Sequence, residues 1–353
     1  MDMTRSSRRP LSPPILALAF TAALCGGLGS AVGPARAADD PAAGSGTECV
    51  VKGKGVVEKG VQIFSERKDG TAVAGFATQE IQLEVSDFPA DPAGGRAKVK
   101  TGKGAGSVRV EGWIDPTKVP LSARADVAVA PGHVWIGRGE RLKLKGSSPG
   151  KLQVEATITA TGQKLKGKAG CGEITVGDVA TAEVTIPAGS QKWVLRKASL
   201  DLYDDVNGAS VFTLEVTSAE TGLLLYSSEQ KSGWIHVLHQ GAIVVDAWAK
   251  AADLKAFPKG EMLDALASTS MVSISPAKLK VDGATKEVKV TKDVALRLTA
   301  SESSKPIGVI EEGAEVIVVD TFGGWSRVFP KNLELIPPDA KDFWAKAEDL
   351  GLK

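Results

Sequence analysis

The sequence predicts an all-β chain: tandem small β-barrels, about four of them, behind a cleaved leader. Three observations carry this. Alternation of apolar and polar residues at period two recurs along the chain, as at Leu152, Val154, Ala156, Ile158 and Ala160, which marks strands with one buried face. Turn chemistry punctuates those runs at Lys68-Asp69-Gly70, Pro131-Gly132, Pro149-Gly150, Asn207-Gly208, Asp282-Gly283 and Gly323-Gly324. Three landmarks also repeat in the same order four times. Composition agrees, because 39 glycines and only 5% aromatics suit short strands and tight turns better than long packed helices. Helical periodicity is confined to one short candidate at residues 261–267.

The first element is residues 1–37, a signal peptide. Arg5, Arg8 and Arg9 give a positive start, residues 14–32 are apolar, and Ala35-Arg36-Ala37 is the small-x-small pattern before a cleavage point. Ser7-Arg8-Arg9 resembles a twin-arginine signal, although Ser12 stands where that motif wants an apolar residue. Leu24 before Cys25 argues against lipidation. Localisation is therefore expected to be exported, periplasmic or extracellular, with no membrane span after the signal. Removing residues 1–37 takes four arginines and one aspartate, leaving 39 basic and 41 acidic residues and a net charge of −2. A nucleic-acid partner, which wants a basic excess, is not expected. Cys49 and Cys171 remain as candidates for a disulfide that an oxidising compartment permits, tying the first module to the end of the second.

Residues 38–50 form a small, polar, aperiodic leader. The repeats follow at residues 51–120, 121–182, 183–258 and 279–353, with residues 259–278 as a linker between the third and fourth. The first landmark is an apolar-x-apolar strand: Val61-Gln62-Ile63, Val127-Ala128-Val129, Leu200-Asp201-Leu202 and Leu296-Arg297-Leu298. The second is Gly-x-x-x-Val, at Gly95 and Val99, Gly150 and Val154, Gly233 and Val237, Gly324 and Val328. The third is an eight-residue ending that begins at Gly112, Gly172, Ala247 and Phe343. First and third landmarks lie 51, 45, 47 and 47 residues apart. The last two endings share Trp-Ala-Lys-Ala-x-Asp-Leu, whereas the second is eroded. Residues 183–193 and 279–290 read as an added hairpin before the third and fourth copies.

In the fourth copy, Leu296-Arg297-Leu298 is followed by a strand at residues 307–316, by Gly323-Gly324-Trp325-Ser326-Arg327-Val328, and by Phe343-Trp344-Ala345. This order resembles the bacterial SH3-like domain family. The third copy is similar through Leu200, Leu202, Gly233-Trp234-Ile235-His236-Val237 and Ala247-Trp248. Copies one and two carry Arg96 and Lys151 where the family has its first Trp, and copy two has Glu173 in place of the second. The resemblance implies non-catalytic modules that bind cell-wall material or peptides. A module of about 60 residues closes into a barrel because that removes exposed edges and makes one small core.

Chemistry-bearing residues are few. His236 and His239 stand three apart on one strand, so they face opposite ways, and His133 lies in a turn without an obvious partner. Asp204-Asp205 and Glu311-Glu312 read as solvated pairs, and Asp201, Asp204 and Asp205 lack the spacing of a calcium loop. No phosphate-binding glycine motif precedes a helix. Neither a catalytic residue, a metal nor a cofactor is expected. The candidate ligand-binding residues are Trp113, Trp234, Trp248, Trp325 and Trp344, because large aromatics on barrel surfaces stack on sugars or prolines. The expected function is a non-enzymatic envelope protein binding peptidoglycan, or an envelope protein or peptide. The alternatives are a structural scaffold without a small ligand and, less favoured, a cell-wall hydrolase or its accessory.

Overall fold

The computed structural model describes residues 49–102, 106–159, 161–182, 185–216, 223–258, 285–339 and 341–352. The signal, most of the leader, residues 261–267, the linker and the Asp282-Gly283 turn lie outside the described residues. The described residues fall within one compact unit. The protein is all-β: 27 strands and four single-turn 3-10 helices, with no α-helix among the described elements.

Segment one (residues 51–120) contributes β1 (Val51–Val56), β2 (Gln62–Phe64), β3 (Ala72–Phe76), β4 (Glu80–Ser86), β5 (Ala97–Thr101) and β6 (Val108–Ile114). Segment two (121–182) contributes β7 (Leu121–Ala123), β8 (Val127–Ala130), β9 (Val134–Ile136), β10 (Arg141–Ser148), β11 (Lys151–Thr157), β12 (Lys164–Gly170) and β13 (Ile174–Val176). Segment three (183–258) contributes β14 (Gln191–Leu195), β15 (Ser199–Tyr203), β16 (Ser210–Glu215), β17 (Leu225–Lys231), β18 (Trp234–His239), β19 (Ile243–Lys250) and β20 (Leu254–Ala256). Segment four (279–353) contributes β21 (Lys286–Lys289), β22 (Val294–Leu296), β23 (Gly308–Ile310), β24 (Glu315–Phe322), β25 (Trp325–Pro330), β26 (Leu335–Ile336) and β27 (Trp344–Lys346).

One pattern recurs. A three-strand antiparallel meander (β4-β5-β6, β10-β11-β12, β17-β18-β19) runs into a 3-10 turn and a short strand. Segment four keeps β24-β25-β27 and ends in a turn. Alternation builds the meanders: on β19, Ile243, Val245, Ala247 and Ala249 are buried while their neighbours are not. Gly323 and Gly324 both adopt positive φ, 59° and 80°, which lets a two-residue turn join β24 to β25.

The structure moves two of the sequence landmarks. The strand before the crossing point is Val294-Ala295-Leu296 in segment four, because Arg297 is the residue bridged to Trp344. In segment two, Leu121-Ser122-Ala123 takes that place, because the Arg124 amide donates to the Glu173 carbonyl at 2.7 Å. First-to-third spacing then becomes 51, 51, 47 and 49 residues. The added hairpins are also corrected. Among the described residues at the start of segment three, the one strand is Gln191–Leu195, pairing β17 and β20, while Ile186 stays outside it and exposed. Among the described residues, segment four likewise has the single strand β21, paired with β24.

The segments are sewn together by strand pairing, and not in chain order. β13 runs parallel to β1, joining two to one. β9 pairs β19, joining two to three. β23 pairs β6 and β26 pairs β3, so segment four docks on segment one. The order in space is four, one, two, three. Backbones approach closely at these seams: a Cβ on Gly137 would overlap the Gly241 carbonyl oxygen, and one on Gly308 would overlap that of Arg109. A disulfide joins Cys49 to Cys171 across the first seam.

Candidate functional site

The five candidate tryptophans fall on outward positions of the meanders, and the crossing of two strands organises them. Trp113 pairs with Phe64, Trp248 with Tyr203, and Trp344 with Arg297. In each case the partner follows the buried opening strand directly. The residue that opens the middle meander strand, or in segment one the residue just before it, then meets that partner. In segment three the Trp234 ring meets Tyr203 edge-on, centroids 4.9 Å apart. In segment four Arg297 lies over Trp325 at 6.0 Å. In segment one the chemistry is reversed, with the Arg96 guanidinium 3.6 Å above the Phe64 ring. Segment two has Arg124 and Lys151 at these two places, two cations and no ring.

The tryptophans are not equally available. Trp234 is only 8% exposed, covered by Tyr203 and approached by the Lys250 ammonium. Trp113, Trp248, Trp325 and Trp344 are half-buried. Register puts Trp234 opposite Lys250 and His236 opposite Trp248 on β18 and β19. It puts Trp325 opposite Lys346 and Arg327 opposite Trp344 on β25 and β27. Each of these two segments thus shows an outer ladder of indoles beside an ammonium. Segment four adds Phe322, which is 79% exposed and pairs with Trp325 across the Gly323-Gly324 turn. Phe322 was missed in the sequence because its place beside Trp325 depends on strand register.

His236 sits in the ladder of segment three. Its ring is 5.0 Å from that of Trp248, and its Nε2 is 2.8 Å from Asp246 Oδ1. That hydrogen bond raises the imidazole pKa above its ordinary value, against the opposing effect of burial. His239 points elsewhere, its Nδ1 2.8 Å from the Leu224 carbonyl oxygen, and burial lowers its pKa. His133 Nδ1 is 3.2 Å from the Asp246 carbonyl oxygen. Among the described residues no three His, Cys, Asp or Glu side chains converge as metal ligands. Asp201 accepts a hydrogen bond from the Thr213 hydroxyl at 2.7 Å.

A second surface is basic. The outer face of β10, β11 and β12 carries Lys143, Lys145, Lys151, Lys164, Lys166 and Lys168, all exposed. Its acidic residue, Glu155, is buried beneath them with Lys145 at 3.6 Å.

No protein-family model and no curated protein matches the chain. Among solved structures it is similar to NlpC2 from Trichomonas vaginalis, at 12% identity and a TM-score of 0.17, over 46% of this chain and 48% of that one. It is similar also to NlpC1 from Trichomonas vaginalis, at 11% identity and a TM-score of 0.16, over 48% and 47%. The chain spans about half the length of each. Scores this low assign neither fold nor chemistry.

Proposed function

We propose that this is an exported, non-enzymatic envelope protein whose SH3-like modules bind peptidoglycan or a peptide segment, chiefly through segments three and four. The observation that carries this reading is the pair of outer ladders, in which Trp248 and Trp344 stand beside Trp234 and Trp325 with Lys250 and Lys346 opposite. Indole faces stack on sugar rings or prolines, and the Lys250 ammonium, which lies over the Tyr203 and Trp234 rings, suits a carboxylate of the ligand, whereas Lys346 is ion-paired with Glu302 and Glu348. Two weak sites on one chain add by avidity. Export is supported by the signal pattern in residues 1–37 and by the Cys49–Cys171 disulfide, which belongs to an oxidising compartment.

Co-sedimentation with purified sacculi tests the proposal. At low salt the wild-type chain pellets, and the double variant Trp248→Ala, Trp344→Ala pellets roughly tenfold less as the avidity is lost. A wild-type chain that stays in the supernatant overturns the reading. A scaffold role is the second reading, favoured by strand pairing that runs from segment four into segment one. Under it the same double variant lowers stability and leaves every partner bound.

A further inference from the structure

We propose that the outer face of β10–β12 binds a linear polyanion, a phosphate polymer that carries no nucleobases. The charge is local. Segment two has nine basic and five acidic residues, whereas segment three has six and nine, in a chain whose whole net charge is +1. Cross-strand register places Lys143 and Lys166 on either side of Glu155, Lys168 opposite Gln153, and Lys164 opposite Thr157. Lys145 projects from the bulge between Leu144 and Gly146 and is the lysine that meets Glu155. Among the described residues Lys143, Lys151, Lys164, Lys166 and Lys168 have no carboxylate within ion-pairing distance. Arg141, next along β10, is ion-paired with Asp178. Five uncompensated ammonium groups on one small sheet face repel one another and hold mobile anions, which a polyanion displaces with a gain in counterion entropy.

The shape and lining select the kind of anion. Lys145, Lys151, Lys166 and Lys168 border a cleft of about 560 Å³, which Ala128 and Val129 of β8 and Pro131 just after it also line. A cleft accommodates a chain better than a flat bilayer, and the face presents no exposed large apolar residue to enter acyl chains. It presents no aromatic ring on which bases could stack. Lys164, Lys166 and Lys168 recur at every second residue, about 7 Å apart on a strand, which suits one charge per repeat of a polymer. Lysine meets phosphate as a point charge, and a phosphate polymer supplies such charges in series without the planar, bidentate geometry that a guanidinium reads. Edge protection alone accounts for lysines on β12, which pairs only with β11, but not for Lys143, Lys145 and Lys151 on the inner two strands.

Long-chain inorganic polyphosphate, titrated into the full chain at several salt concentrations, tests this. Binding is expected at about 50 mM salt, with log K falling linearly against log salt. Lys164→Gln, Lys166→Gln, Lys168→Gln should weaken it at least tenfold and lower the slope by about two, at roughly 0.7 per charge removed. A control with the same charge loss, Lys59→Gln, Lys68→Gln, Lys255→Gln, should bind as wild type, and so should Trp248→Ala, Trp344→Ala, which separates this surface from the sacculus-binding one. Equal loss in the lysine control overturns the proposal. So does tighter binding to phosphatidylglycerol vesicles, to single-stranded DNA or to polygalacturonate, or no polyphosphate binding at all.

Discussion

Segments two and three lay the same meander under opposite surfaces. Inside, both are apolar: Leu142, Leu144, Leu152, Val154 and Leu165 in one, Leu225, Ile235, Val237, Val245 and Ala247 in the other, all buried. Outside, Arg124 and Lys151 in segment two stand where segment three has Tyr203 and Trp234. The inner face specifies the fold because its apolar side chains lose water on folding, whereas the matched outer places accept either a covered ring pair, as at Trp234 and Tyr203, or exposed charge, as at Lys151. The substitution that looks like erosion in the sequence is an exchange of ring chemistry for charge.

The sharpest break of this comparison is at those two matched places. Trp234→Ala should cost about 3 kcal/mol or more in urea unfolding, as a buried indole leaves a cavity beneath Tyr203. Lys151→Ala, at an exposed position, should stay within about 0.5 kcal/mol. Comparable costs would mean that the two segments are built alike outside as well.

Comparable in size is the disulfide. Replacing Cys49 and Cys171 by Ser should cost about 4–5 kcal/mol, because the bridge closes a loop of 122 residues in the unfolded chain. Hydrogen exchange should show the loss first in β1 and β13, which the bridge flanks, and last in β18 and β19. Uniform loss across both pairs would show that the segments unfold as one.

Segment one offers a smaller test, being intermediate in kind. Arg96→Ala removes a cation over a ring and should cost about 0.5–1 kcal/mol, and Arg96→Trp should recover it by rebuilding the ring pair of segment three on Phe64. If Arg96→Trp is worse than Arg96→Ala, the two places are not equivalent.

The smallest effect is the pH dependence of segment three. With its folded pKa raised by Asp246, His236 contributes stability that is fully present below pH 6.5 and fades as pH rises through the folded value. The charges facing it are Asp246 and Glu229. NMR titration of the ring should give a midpoint above 6.5, moved down by Asp246→Asn. A midpoint unmoved by that change would separate His236 from its partner.

Much of this was legible in the residues themselves. Period-two alternation, the turn pairs and the repeated endings determined an all-β chain, and they left Cys49 and Cys171 as candidates for a disulfide, which the structure contains. These are local signals: a side chain's face follows from its place in the strand. The tertiary structure decided the rest. Loose apolar-x-apolar motifs slide by two residues or more, so the opening strands of segments two and four were located only by what bonds to Glu173 and Trp344. The docking of segment four on segment one, the covering of Trp234 and the gathering of six lysines on one face all depend on which strands lie side by side. Backbone pairing carries no residue code of its own, so that choice is made by the packing of the whole molecule.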